Sequence, residues 1–406
     1  MNKLRRWREW GYIGDVEYRH SLNSLLYDSL ARMESPDFAK IHVGAINSLS
    51  VEKVEERYLL SGGGDSSIKL WDLDATVVDE GTGETRVECI GQIPRKEGHT
   101  YGVSHVQWWP FDNGLFVSSS FDNTVKIWEP NSLSEAYSFN LGTKVYNFDI
   151  SVVGQHSLVA TAADQPFLRL LDLRTTSSTH TLTSHSGRIL SVKWSPKDAH
   201  ILASAGSDGT VRLWDIRRSN ACVASLDMQQ VGDTPTRTPM AQRKAHRSSA
   251  NGLCWFPSGD YLVSSGNDEK IRVWGLHPVG GRNMLINFGP LVRNRHVQTL
   301  DPCLSPIRDA EWPYLFFPSD NGEIFMFRAV DGKIVKRLTR ENHSRSACII
   351  SRGPSHLQFL SGALDGSIST WSPHLHPFDE MLDEDTELFG EHGPDVLDEI
   401  WKSMNA

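Results

Sequence analysis

LASAGSDGTVRLWDI, residues 202–216, holds a strand, a tight turn and a second strand. Leu202 to Gly206 is small and apolar, Ser207-Asp208-Gly209 is turn chemistry, and TVRLW alternates. Val211 and Leu213 face one way; Arg212 and Trp214 face the other. The same pattern returns as LSGGGDSSIKLWDL (60–73), VSSSFDNTVKIWEP (117–130), LVSSGNDEKIRVWGL (262–276) and LSGALDGSISTWSP (360–373). In every copy an Asp precedes a Trp by six residues: Asp65/Trp71, Asp122/Trp128, Asp208/Trp214, Asp268/Trp274 and Asp365/Trp371.

Two further copies are degenerate. VATAADQPFLRLLDL (159–173) has Leu171 for Trp and one extra turn residue, and LFFPSDNGEIFMFRA (315–329) has Phe327 in that slot. Seven units therefore lie between about residues 41 and 375, at a mean period of about 48, slightly above the 40–45 of a WD40 blade. Each unit reads as several short strands, and a lone blade cannot bury both its faces, so the blades must stack into a closed ring. The expectation is an all-β, seven-bladed WD40 β-propeller over 37–376. An N-terminal helical arm (1–36) precedes it and an acidic, flexible tail (377–406) follows. DFAKI, residues 37–41, is expected to close the ring as the outer strand of the blade ending at Trp371.

A His opens most units: His42, His99, His185, His246 and His343. Buried indole N–H and imidazole groups need partners, and a carboxylate and a hydroxyl suit them. The fourth unit should hold a relay of His185, Ser204, Asp208 and Trp214, with Asp65, Asp122, Asp268 and Asp365 in the same role elsewhere. These histidines are read as structural.

The chain has 41 Lys and Arg against 50 Asp and Glu, a formal net charge of -9. Residues 377–406 hold ten of the acids and one Lys, so the tail accounts for the whole imbalance and the body is neutral. A neutral body is not a nucleic-acid footprint, and direct DNA binding is not expected. PDVLDEIWKSM (394–404) has the rhythm of a helix that folds on a partner, the alternative being a disordered solubilising tail. Five scattered cysteines point to a reducing compartment. No apolar h-region and no 18-residue apolar run suggest a secretory signal or a membrane span. GxxxxGK, HExxH, GxSxG and CxxC are all missing, so no enzyme, metal or cofactor is expected. The long connections 74–98, 218–245 and 276–305 are candidates for binding, and the second reads as flexible.

RYLLSGGGDSSIKLWDL with IHVGAINSL before it, VQWWPFDNGLFVSSSFDNTVKIWE, and WSPKDAHILASAGSDGTVRLWDIRR resemble the Cockayne syndrome A protein family. The similarity is clear over roughly 38–276, fades to about 340 and returns in the final unit. It implies a nuclear, non-catalytic substrate receptor of a cullin-RING ubiquitin ligase, acting in transcription-coupled nucleotide excision repair. Its implied partners are the damaged-DNA-binding adaptor, the cullin-RING core, and a repair or transcription-elongation protein as target. The alternative is a WD40 scaffold in chromatin or RNA processing.

The docking signature of such receptors is an Arg two residues after the Asp of the Trp-Asp pair. Asp215 with Arg217 matches it, and Asp172 with Arg174 is a relaxed form in the preceding unit. Arg offers a rigid donor fork suited to an interface; the alternative is an Arg held by its own loop. The resemblance also implies an adaptor-docking arm. Tyr18, Leu22, Leu25, Leu26 and Leu30 recur at spacings of three and four, which predicts a helix over 15–34 with one apolar stripe, capped by Asp15. Trp7 and Trp10 would be further anchors, and LRRWR (4–8) could serve as a nuclear localisation signal.

Overall fold

The computed structural model describes residues 8, 10, 12, 14–33, 35–39, 42–78, 85–154, 156–218, 221–231, 238–276, 281–306, 312–340 and 344–374. The acidic tail, Trp7 and His343 lie outside the described residues.

Residues Ala31–Ser372 form one compact unit. It is a propeller of seven sheets of mainly antiparallel strands, spanning 46–93, 103–140, 145–183, 189–225, 250–283, 303–339 and, with a strand from the N-terminal side, 346–373. In blade four the strands Ile189–Trp194, Ile201–Gly206, Val211–Asp215 and Cys222–Ser225 follow one another outward, with Leu202 opposite Trp214 and Ile201 opposite Asp215. The turn between the second and third strands works because Gly209 takes φ +77°, where a side chain is strained.

Packing between blades follows from the repeated aromatic. Trp71, Trp128, Trp214, Trp274 and Trp371 are all buried. Leu171 and Phe327 fill the same slot in blades three and six, also fully buried. Blade six offsets its missing indole with phenylalanines: Phe288 meets Phe327 edge-on at 5.2 Å, and Phe325 lies 5.9 Å from it.

Phe288 belongs to the connection 276–305, which is no idle loop: Phe288, Val292, Asn294 and Leu300 are buried. Leu300 donates its N–H to the Asn251 carbonyl at 3.0 Å. That approach requires glycine at 252, where a Cβ would stand 1.9 Å from the Leu300 carbonyl oxygen. The connection 74–98 is mostly strand, because Ile68–Val78 and Thr85–Ile93 pair along their length.

Ring closure differs from the sequence expectation. The fourth strand of blade seven is Leu30–Arg32, beside Ile368–Pro373, and Met33 N–H donates to the Thr370 carbonyl at 2.9 Å. Asp37–Phe38 instead pairs parallel with Thr85–Ile93, as a fifth strand of blade one. Phe38 decides this: it packs edge-on against Trp71 at 5.2 Å, so its ring is spent on blade one. Lys40 and Ile41 lie outside the described residues.

The helix is Asp15–Asp28, shorter than the predicted 15–34. Its N-cap is Gly14, not Asp15, and Gly14 N–H donates to the Glu17 carboxylate at 3.2 Å. Leu30 is therefore not a helix-face residue; it opens the closing strand and is fully buried. Among the described residues, no helix is long and apolar enough to cross a membrane.

Candidate docking surface

In blade four the Trp214 indole N–H donates to Ser204 Oγ at 2.8 Å, the Ser204 hydroxyl to His185 Nε2 at 2.7 Å, and His185 Nδ1–H to Asp208 at 3.2 Å. This order uses a neutral imidazole and leaves no donor unpaired. Asp65, Asp122 and Asp268 take the His42, His99 and His246 rings at 3.1, 2.9 and 2.9 Å. In blade seven Trp371 donates to Ser361 at 2.8 Å, and Asp365 accepts from Ser367. Burial works to raise the four paired carboxyls and is the largest single influence, but the histidine hydrogen bonds, together with neighbouring hydroxyl, backbone N–H and positive groups, outweigh it and hold them well below the usual carboxylate range.

The inner strands enclose a channel of about 750 Å³. Asp301, from the connection before blade six, crosses it. Its carboxylate accepts from Ser191 Oγ (2.7 Å), Asn147 Nδ2 (2.8 Å), Leu253 N–H (3.1 Å) and Lys193 Nζ (3.1 Å). Burial pushes the Lys193 ammonium down, yet Asp301 and Asp149 raise it further than burial lowers it. Nothing in the repeat pattern signals this cluster.

His105 faces the same channel and meets Ser48 Oγ at 3.0 Å. Burial, then the nearby Lys193, lower its pKa to about 3; burial also lowers His185 and His246. Below the ordinary histidine pKa of about 6.5 the unfolded chain takes up protons that these folded rings refuse, so stability falls as pH drops. We expect the melting temperature to decline from pH 7 to pH 5, with His105 alone accounting for up to about 2 kcal/mol at pH 5. Calorimetry of the wild type and His105→Gln checks this; equal slopes would remove the assignment.

The candidate docking residues lie at the other end of the third strand from the relay. Arg217 Nε and Nη2 donate to the two Asp215 oxygens, both at 2.9 Å, and Asp198 stands 3.8 Å away. The Arg217 side chain is still 55% exposed, so its fork is fixed by its own blade while one flank meets solvent. The Arg217 hydrogen bond is the main cause holding Asp215 below its usual pKa. Arg174 is exposed at the end of blade three's strand Phe167–Asp172; its backbone N–H donates to Asp172 at 2.9 Å and its Nε to Ser157 Oγ at 3.1 Å. A pocket of about 680 Å³ opens beside Arg217, walled by Leu213, Val223, Trp255 and Leu276. The sequence pattern gave the arginines but not this pocket, because blade five supplies part of its wall.

In the helix, Tyr18, Leu22 and Leu26 are half-buried and Leu25 is 44% exposed. Tyr27, off the expected stripe, is the buried one. Trp10 is exposed and contacts Tyr12 edge-on at 6.2 Å.

Comparison with known proteins agrees with the blades. The WD domain, G-beta repeat family matches residues 40–72, 88–129, 176–215 and 237–275. The chain carries WD40 repeats. Similar proteins extend beyond the repeats. WD repeat-containing protein ATCSA-1 of Arabidopsis thaliana is 27% identical over 93% of this WD40 chain and 96% of its own. Radiation-sensitive protein 28 of Saccharomyces cerevisiae is 33% identical over 65% of this chain and 55% of its own. A ribosome biogenesis protein WDR12 homolog of Drosophila mojavensis is 26% identical over 62% and 56%.

Proposed function

We propose that this WD40 protein is a nuclear substrate-recognition subunit of a cullin-RING ubiquitin ligase, acting in transcription-coupled nucleotide excision repair. The observation that carries the reading is the near end-to-end similarity to a plant protein named for CSA. The radiation-sensitivity in the yeast relative's name points the same way. Arg217, clamped by Asp215 yet half exposed, is the anchor offered to the damaged-DNA-binding adaptor. Asp172 with Arg174 extends that surface, and Tyr18, Leu22, Leu25 and Leu26 supply an apolar helical contact. The protein does no chemistry itself. It raises the effective concentration of a repair or transcription-elongation target near the ligase's RING module. The second reading is a scaffold in RNA processing, favoured by the ribosome biogenesis relatives, but their match is shorter and more distant.

Affinity purification of the full chain is expected to recover the adaptor and the cullin. Arg217→Ala combined with Leu22→Asp and Leu26→Asp should weaken binding to purified adaptor at least tenfold, as for central interface anchors. Unchanged affinity in a variant that melts like the wild type overturns the docking surface. Recovery of pre-ribosomal proteins without cullin selects the second reading.

A further inference from the structure

Arg212 stands on the third strand of blade four, four residues after Asp208. It is 4% exposed. Its partners are neutral: Nη1 donates to Ser184 Oγ at 2.6 Å and lies 3.8 Å from Cys222 Sγ, while Nε has no partner. No carboxylate pairs with it among the described residues.

The other blades treat the same position differently. Arg272 in blade five donates to Asp268 at 2.9 Å, and Lys126 in blade two donates to Glu135 at 2.5 Å. Lys69 in blade one is buried, and burial lowers its ammonium pKa toward the neutral form. A guanidinium has no such escape, because it stays protonated. A buried cation without a counter-ion is costly, and natural proteins pair such groups.

Space for the missing anion lies beside it. Arg212 lines a pocket of about 780 Å³ together with Ser184, Ser186, Ser207 and Lys244. The one carboxylate on its wall, Asp208, is already engaged by His185, the Ser186 N–H and Thr210. We propose that this pocket binds a phosphoryl group carried on the Ser or Thr side chain of a partner protein. Arg212 provides the buried charge-assisted donor, Lys244 a second cation at the rim, and Ser184 and Ser207 hydroxyl donors for a tetrahedral oxyanion, while the Ser186 hydroxyl donates to Asp208 at 3.3 Å. A carboxylate, with two oxygens, would leave part of this donor set idle. The pocket sits at the relay end of the strand and Arg217 at its other end, so both can be occupied together.

The test uses the full chain and calorimetric titration. N-acetyl-phosphothreonine N-methylamide should bind saturably, inorganic phosphate more weakly, and the unphosphorylated amide not at all. Arg212→Gln and the rim substitution Ser207→Asp, which places a carboxylate in the pocket, should each cut affinity at least tenfold. Arg272→Gln, at the paired position of blade five, should leave it unchanged. Absence of saturable binding, equal binding by Ser207→Asp, or equally tight binding of N-acetyl-aspartate N-methylamide overturns the proposal. Inorganic phosphate binding as tightly as the ester overturns its protein-borne source.

Discussion

Asp301→Ala is expected to destabilise the propeller by about 3–5 kcal/mol, because it removes the ion-pair partner of Lys193 and leaves only the charge of Asp149, beyond ion-pair distance, to offset it. Lys193 would lose its 3.1 Å counter-ion inside the channel. Ser191, Asn147 and the Leu253 N–H would lose an acceptor together, and each unsatisfied donor is itself costly. Asp301 comes from the connection before blade six, yet it binds blades three, four and five, so its loss also frees a tie across the ring. At about 2.1 cal/mol/K per residue the melting temperature should drop by roughly 5 °C. Asp301→Asn, which keeps a carbonyl acceptor, should cost less. The pair Asp301→Leu with Lys193→Met should recover most of the loss, since a well-packed apolar pair removes the desolvation burden. Denaturant titration reads all three; an Asp301→Ala variant within about 1 kcal/mol of the wild type would show that the ion pair is not what holds the connection in place.

The contrast between relay and channel explains what could be read from the sequence. The relay lies inside one repeat: His185 reaches Asp208 across 23 residues and Ser204 across 19, and the other blades repeat nearly the same offsets. Repetition at fixed spacing is visible in a string of letters. The channel cluster has no such spacing, since Asp301 meets Asn147 and Ser191 across 154 and 110 residues and occurs once. The candidate docking arginines fall between: Asp215-Ile216-Arg217 is legible as a motif, but the apolar pocket beside it needs Trp255 from the next blade. Leu30 escapes the strand pattern for a related reason. It continues the spacing from Leu26, and a strand of three residues, Leu30–Arg32, is too short to show alternation. Phe38 could have been assigned to blade one only by knowing that Trp71 offered it a ring.

A chain beginning at residue 34 lacks Leu30–Arg32 and the Met33 N–H bond to Thr370, leaving Ile368–Pro373 as a bare edge. Losing one buried leucine at about 2 kcal/mol and a few ladder bonds at about 1 kcal/mol each should cost about 4–6 kcal/mol. The uncovered edge should also promote aggregation on heating. If 37–41 closed the ring, this chain would be as stable as the full one, so denaturant midpoints of chains beginning at 14 and at 34 decide between the two strands. Leu30→Asp in the full chain should behave like the deletion, because it buries an unpaired charge where the leucine is fully enclosed. Leu22→Asp with Leu26→Asp should instead leave the ring's melting temperature near that of the wild type and act on adaptor affinity. A loss of stability at Leu30 with a loss of binding at Leu22 and Leu26 would divide the leucine series into a strand that shuts the propeller and a helix that serves a partner. Equal destabilisation by all three would place the whole series in the propeller's own fold and leave Arg217 and Arg174 to carry the docking.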